Sequence, residues 1–286
     1  MRYEAPETLD AAVGLLVDAS GDARMLAGGT DLLVQLRADV IEPGLVVDLK
    51  RIPELRSIVA DGGGFRIGAA VTAAELAEHP ELKTVWPGVV EAAELIGSTQ
   101  IQGRATLGGN LCNASPAADS VPALVAAGAL VAVDGPNGRR EVPVERIGTG
   151  PGKTSLEKGE IVTSIILPPR PPRSGDAYLR FIPRTEMDIA EVGAGVSLSL
   201  DADGTCVAAR VALAAVAERV LLVPDAADAL IGSTLDDAAL AGLEKATRAA
   251  CRPIDDKRGT KEHRIKVAGV LARRAAGIAH ERARGN

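Results

Sequence analysis

Aromatic side chains are nearly missing from this chain of 286 residues: one Trp, two Tyr and two Phe make up 2% of it. Alanine and valine must therefore fill most of the core, and the stacking platforms that single-stranded nucleic acid requires are absent. The formal charge of -6 removes the basic footprint of a nucleic-acid binder as well. Cysteine is equally scarce. Cys112, Cys206 and Cys251 stand singly, with no Cys-x-x-Cys pair, so neither a disulfide framework nor a local iron–sulfur or zinc site is encoded. The histidines, His79, His263 and His280, are scattered, and no Ser-His-acid arrangement can be proposed. No apolar run approaches the roughly 20 residues that cross a bilayer, and the N-terminal stretch has no short apolar segment with a cleavage-like end. A cytoplasmic globular protein without a membrane span is the expectation, and any metal in its chemistry must sit on another chain.

What is present is an alternation of strands and helices. Thr8 is placed to cap a helix through Leu16. The stretch ARMLAGGTDLLVQLR then reads as strand, tight turn and helix, with Thr30 as that helix's cap. Apolar strands follow at 45–49 and after the glycine triplet at 62–64, and Thr72 to Glu75 matches a capping box. A helix over 88–97 precedes a long polar loop from Ser98 to Pro116. Next come a helix at 119–128, a strand at 129–133, a hairpin around Asn137-Gly138 and a buried strand at 160–168. The proline-dense PPRPPRSGD at 168–176 marks a domain boundary. Beyond it lie three strands, a helix begun by Thr234-Leu235-Asp236-Asp237, and a long helix over 260–283 with Ile265, Leu271 and Ile278 turned inward. The whole reads as α+β.

Two segments suit a dinucleotide. Ala27-Gly28-Gly29-Thr30-Asp31 follows a strand and opens a helix, which exposes backbone N–H groups at the positive end of a helix dipole. An ordinary tight strand-to-helix turn would look the same. The second, running from Arg104 to Ser120, gathers small and hydrogen-bonding residues into an extended loop. Thr106, Asn110 and Ser115 offer groups to phosphate, ribityl chain and ring, while Asp119 either accepts from sugar hydroxyls or caps the next helix. Gly193-Ala194-Gly195 opens like a Rossmann fingerprint, but a strand continues where a helix is required. Cys112, inside the second loop, reads as a small packing residue.

Read together, AGGTDLL at 27–33 and ATLGGNLCNASPAADSVPAL at 105–124 resemble the FAD-binding medium subunit of the xanthine dehydrogenase and carbon monoxide dehydrogenase family of molybdenum hydroxylases. YEAPETLDAAVGLL, EIVTSIILP and YLRFIPRTEMDIAEVGAGVSL extend the likeness over nearly the full length. The resemblance implies a vanillyl-alcohol-oxidase-type FAD-binding domain over 1–175, in two subdomains of about 1–57 and 58–175, and a smaller α+β C-terminal domain over 176–286. Carried over by position, Ala27, Gly28, Gly29, Thr30 and Asp31 would hold the pyrophosphate. Thr106, Gly108, Gly109 and Asn110 would line the flavin and ribityl chain, Ser115 and Asp119 would complete the pocket, and Leu32 and Ile101 count among the cofactor-binding residues. Val162 and Arg180 join the set by the same carry-over, a surface arginine paired with a nearby acid being the alternative for Arg180. Relatives of the benzoyl-coenzyme A reductase type carry an inserted cysteine loop for a further cluster, which the isolated cysteines here do not supply.

The implied activity is that of an oxidoreductase subunit without catalytic side chains of its own. It would take electrons from [2Fe-2S] clusters on a small partner, themselves reduced by a large molybdenum-cofactor subunit, and hand them to NAD, a quinone or oxygen. A self-contained FAD oxidoreductase of related fold is the alternative, favoured by a histidine or tyrosine near the flavin loops, and the local sequence has neither. A nucleotide-holding module without redox function is a third reading.

Overall fold

The computed structural model describes all 286 residues as three main sheets in sequence order, each with its own apolar cluster. The first comprises β1 (Arg2–Glu4), α1 (Leu9–Asp18), β2 (Ala23–Leu26), α2 (Leu32–Arg37) and β3 (Leu45–Asp48). β3 pairs parallel with both β1 and β2 and is buried along its length. Parallel pairing demands crossovers, and the helices supply them. The Thr8 hydroxyl caps α1, accepting from Ala11 N–H at 3.3 Å, and Ala12 and Leu16, spaced i,i+4, turn into the core. Thr30 does not cap α2: Asp31 takes the cap position and makes no side-chain bond there. The turn closes through backbone instead, with Gly29 at φ +79° and its carbonyl accepting from Leu33 N–H at 3.0 Å, a conformation that glycine enters without a Cβ penalty.

The second unit runs through β4 (Ile58–Asp61), β5 (Gly64–Gly68), α3 (Ala73–Ala77), α4 (Pro80–Val85), α5 (Pro87–Glu94), α6 (Thr99–Gln102), α7 (Leu107–Cys112) and α8 (Ser120–Ala126). It is completed by β6 (Leu130–Gly135), β7 (Gly138–Pro143), the small hairpin β8 (Gly148–Gly150) and β9 (Lys153–Thr154), and β10 (Ile161–Leu167). β10 is the middle strand of an antiparallel sheet ordered β4-β5-β10-β6-β7. The capping box at Thr72 and Glu75 forms, and the hairpin turns at Gly138. The stretch from Ser98 to Pro116 is not the long loop that its polarity suggests, because α6 and α7 interrupt it. Two adjacent glycines oppose a helix. Here the Thr106 hydroxyl accepts the Gly109 N–H at 2.9 Å and so closes the first turn.

Pro168 to Arg173 lead into β11 (Ser174–Phe181), β12 (Val192–Leu200), β13 (Cys206–Ala214) and β14 (Leu221–Leu222), an antiparallel sheet in sequence order. α9 (Pro224–Asp228), α10 (Asp237–Ala250) and α11 (Lys261–Gly285) complete the chain. Asp236, rather than Thr234, caps α10, accepting from Ala239 N–H at 2.9 Å; Leu235, at φ +57°, turns the chain just before it. α11 lies across β11 and β12 on a face of alanines, Ala268, Ala272, Ala275, Ala276 and Ala279, all fully buried. A Cβ at Gly175 would stand 1.8 Å from the Ala279 carbonyl oxygen, so this helix and strand meet backbone to backbone. Such contact is how a chain so poor in aromatics fills its interior, by close approach rather than by volume. Gly193 and Gly195 lie within β12, as the continuing strand pattern implies, and Gly195 makes room for the Pro122 carbonyl of α8. The architecture is α+β, and no helix is long and apolar enough to cross a membrane.

Candidate functional site

The two glycine segments, far apart in sequence, touch at Gly28. A Cβ there would lie 1.9 Å from the Arg104 carbonyl oxygen, so only glycine lets the turn after β2 rest against the approach to α7. The second segment is pinned from its other side. Ala73 N–H donates to Ala105 O at 2.8 Å, Thr72 pairs with Thr106 as a single β-bridge, and Gly108 sits where a Cβ would meet Ala69 O at 2.6 Å. Between them opens a cleft of about 270 Å³ whose walls also include Arg24, Gln35, Ile96 and Thr154. That is near the small end of ligand pockets, roughly 300–1,000 Å³, and the cleft is partly open to solvent. An elongated ligand would lie partly within it.

The walls differ in what they leave free. The backbone N–H groups of Gly28, Gly29, Thr30 and Asp31 have no partner among the protein's hydrogen bonds. They sit at the start of α2, where a helix presents positive potential. Such a set of donors suits a diphosphate, and no lysine lines the cleft. An FAD-type dinucleotide therefore fits the residues present. In the second segment, Gly109 N–H is already taken by Thr106, and Asn110 Oδ1 accepts from both Ser120 N–H at 3.1 Å and Ser120 Oγ at 2.7 Å. Asn110 thus caps α8 and keeps only its amide nitrogen for anything else.

Of the residues singled out in the sequence, Ala27, Gly28, Gly29, Thr30, Asp31, Leu32, Thr106, Gly108, Gly109, Asn110 and Val162 line this cleft. Ile101, Ser115, Asp119 and Arg180 do not. Ser115 Oγ accepts from Ala117 N–H at 3.2 Å and faces a separate small void. Asp119 occupies the cap position of α8 without capping it; its carboxylate instead accepts from Arg180 Nη1 at 3.1 Å. Arg180 also donates to Leu95 O at 2.7 Å, and with 5% of its side chain exposed it is not a surface arginine. Burial pushes the Asp119 carboxyl up to about 6, Arg180 offsetting only part of that effect. Cys112 is half-buried on the cleft wall, where burial pushes its thiol up to about 12 and so keeps it protonated.

Behind the first loop stands a group that no local motif announced. Lys50 Nζ donates to Ala27 O at 3.0 Å and to Asp48 Oδ1 at 2.7 Å, and Tyr3 OH donates to Asp48 Oδ2 at 2.5 Å. A tyrosine does therefore approach the loops, from the rear. Burial raises the Asp48 carboxyl, but the bonds from Lys50 and Tyr3 outweigh it and hold the group below its ordinary value. The only signal in the sequence was an acid at the end of β3 with a lysine two residues on.

Residues 1–170 match the family described as the FAD binding domain in molybdopterin dehydrogenase, and residues 177–279 match the CO dehydrogenase flavoprotein C-terminal domain. The medium chain of carbon monoxide dehydrogenase from Afipia carboxidovorans is 35% identical over 282 residues, covering 99% of this chain and 97% of that one. The FAD-binding subunit of xanthine dehydrogenase from Escherichia coli O157:H7 is 32% identical over 274 residues, covering 95% and 93%. Among solved structures, reconstituted CO dehydrogenase from Oligotropha carboxidovorans superposes with a TM-score of 0.94 at 34% identity, covering 99% of this chain and 98% of that one. The two glycine loops meeting at one cleft, and both domains matching in order, lead to one assignment: the chain belongs to the FAD-binding, or medium, subunits of the molybdenum hydroxylase family, an oxidoreductase subunit whose cofactor is FAD.

Proposed function

We propose that this chain holds one FAD in the cleft between the Gly28 loop and α7, and relays electrons from iron–sulfur clusters on a partner chain to an external acceptor. The observation that carries the reading is the row of unpartnered N–H groups from Gly28 to Asp31 at the start of α2, inside a cleft that otherwise lacks fixed positive charge apart from Arg24. In this reading 1–175 is the FAD-binding domain, in subdomains of about 1–57 and 58–175, and 176–286 is the C-terminal domain.

Bound FAD supplies the chemistry, accepting and giving electrons singly or in pairs. The chain's own residues bind and orient. The Gly28–Asp31 amides take the diphosphate. Thr106, Gly108, Gly109 and Asn110 also line the cleft, with Asn110 Nδ2 left to donate, and Val162 from β10 adds a buried apolar residue to the lining. None of the three histidines lines the cleft, so no side chain there is suited to shuttle protons near neutral pH. The opening to solvent leaves access for NAD, a quinone or oxygen. The names of the relatives, medium chain and FAD-binding subunit, support assembly with a large molybdenum-cofactor subunit and a small [2Fe-2S] subunit, as a heterotrimer.

A visible spectrum of the purified protein, followed by acid release of the cofactor, tests this. The expected result is flavin absorption near roughly 370 and 450 nm and FAD at about one per chain. A chain that stays colourless with added FAD and its partners overturns the reading in favour of a nucleotide-holding module.

A further inference from the structure

We propose that Lys50 is a positioning residue for the diphosphate of the bound dinucleotide and acts through a single peptide group; this rests on the FAD reading of the cleft. Lys50 Nζ donates to Ala27 O at 3.0 Å. Ala27 C=O and Gly28 N–H are the two ends of one planar amide. A cation on the oxygen draws electron density from that amide and makes its N–H a stronger donor, as bonds in a chain polarise one another. Gly28 N–H is the first of the unpartnered donors in the run from Gly28 to Asp31, all of whose residues line the cleft.

The lysine is fixed for this work. Its Nζ meets Asp48 Oδ1 at 2.7 Å, its own backbone N–H meets the same oxygen at 3.0 Å, and Tyr3 OH holds the other carboxylate oxygen at 2.5 Å. Asp48 is 6% exposed and the Lys50 side chain 26%, so the pair is partly shielded from water and salt. The pair is net neutral, and what reaches the loop is a dipole with its positive end on Ala27. Lys50 does not line the cleft. Positive potential is therefore brought to within one peptide of the ligand while the space at Gly28, already closed to any side chain by Arg104 O, stays clear. A direct lysine contact would reach the ligand as a mobile point charge. This arrangement instead sets the direction of a backbone donor.

The test compares ligands that carry the diphosphate with one that lacks it. Full-length wild type, Lys50→Met and Lys50→Arg would be stripped of flavin and titrated with FAD, ADP and riboflavin, with thermal unfolding recorded for each. Lys50→Met should bind FAD and ADP about two- to fourfold more weakly, the range for removing a polarisation of roughly 10–30% from one charge-assisted hydrogen bond, while riboflavin binding is unchanged and Lys50→Arg recovers most of the loss. Lys50→Met leaves Asp48 without its cation and lowers stability. The double variant Asp48→Asn/Lys50→Met removes that stranded charge and should regain stability without regaining FAD affinity. Equal weakening toward riboflavin and FAD, or recovery of FAD affinity in the double variant, makes the lysine merely structural and overturns the inference. Wild type that holds FAD, with Lys50→Met holding it equally tightly, also overturns the inference and leaves the flavin reading standing. Wild type that holds no FAD overturns the flavin reading, and the inference falls with it.

Discussion

The two glycine pairs of the cleft look alike in sequence and do different work. At Gly28-Gly29 the backbone donors are free and the loop's shape is held from behind by Lys50 and closed beneath by Arg104. At Gly108-Gly109 the Gly109 N–H and most of the polar side chains around it are spent on the fold itself, and of the pair's two donors only the Gly108 N–H stays without a partner. Thr106 closes α7, Asn110 caps α8, Ser115 holds Ala117, and Asp119 is bound to Arg180. A motif rich in polar groups need not be rich in ligand contacts. The difference lies in which of those groups already have partners.

The sharpest way to break this comparison is Gly28→Val. The side chain would have to enter space within 1.9 Å of a backbone carbonyl oxygen, which no rotamer relieves. The loop must separate from Arg104, with an expected loss of about 3 kcal/mol of stability and of nearly all bound FAD, read by urea unfolding and by flavin per chain. Retention of FAD by a folded Gly28→Val protein would mean that the contact between the loops does not define the site.

Asp119→Asn comes next, and it separates scaffold from ligand. If Asp119 serves Arg180 rather than the cofactor, the variant keeps FAD at the wild-type ratio. Its signature is in pH instead. The folded carboxyl titrates at about 6, above its ordinary value of 3.8, so between those values the folded state binds more protons than the unfolded one. Stability attributable to Asp119 is then present below about pH 4 and falls as pH rises towards 6 and beyond. Relative to Asp119→Asn, wild type should lose about 3 kcal/mol across that interval, by 1.36 kcal/mol per pH unit, measured as urea midpoints at pH 4 and 7.5. Loss of FAD at constant stability would return Asp119 to the ligand's shell.

Much of the fold was legible because its signals are local. The strand-glycine-helix turn at 28–29, the capping box at Thr72, the hairpin at Gly138 and the inward face of α11 at Leu271 are each set within a few residues. What escaped were pairings across distance. Lys50 with Ala27 spans 23 residues and Arg180 with Asp119 spans 61, and neither partner advertises the other. α7 escaped for another reason: glycine propensity argues against a helix, and a single hydroxyl cap overrules it. The buried alanines of α11 showed only as composition until Gly175 revealed how closely helix and strand approach.

That cap yields the smallest effect and the finest test of the comparison. Thr106 lines the cleft and also accepts from Gly109 N–H at 2.9 Å, so its hydroxyl has two possible employers. Thr106→Val keeps the shape and removes the acceptor, and as a lost N-cap it should cost about 1 kcal/mol. Thr106→Ser should restore nearly all of it. If the hydroxyl serves the helix, FAD affinity falls only as far as α7 frays, and both properties return together in the serine variant. A valine variant with unchanged unfolding but weakened FAD binding would instead give the hydroxyl to the ligand, and the second glycine pair would then resemble the first.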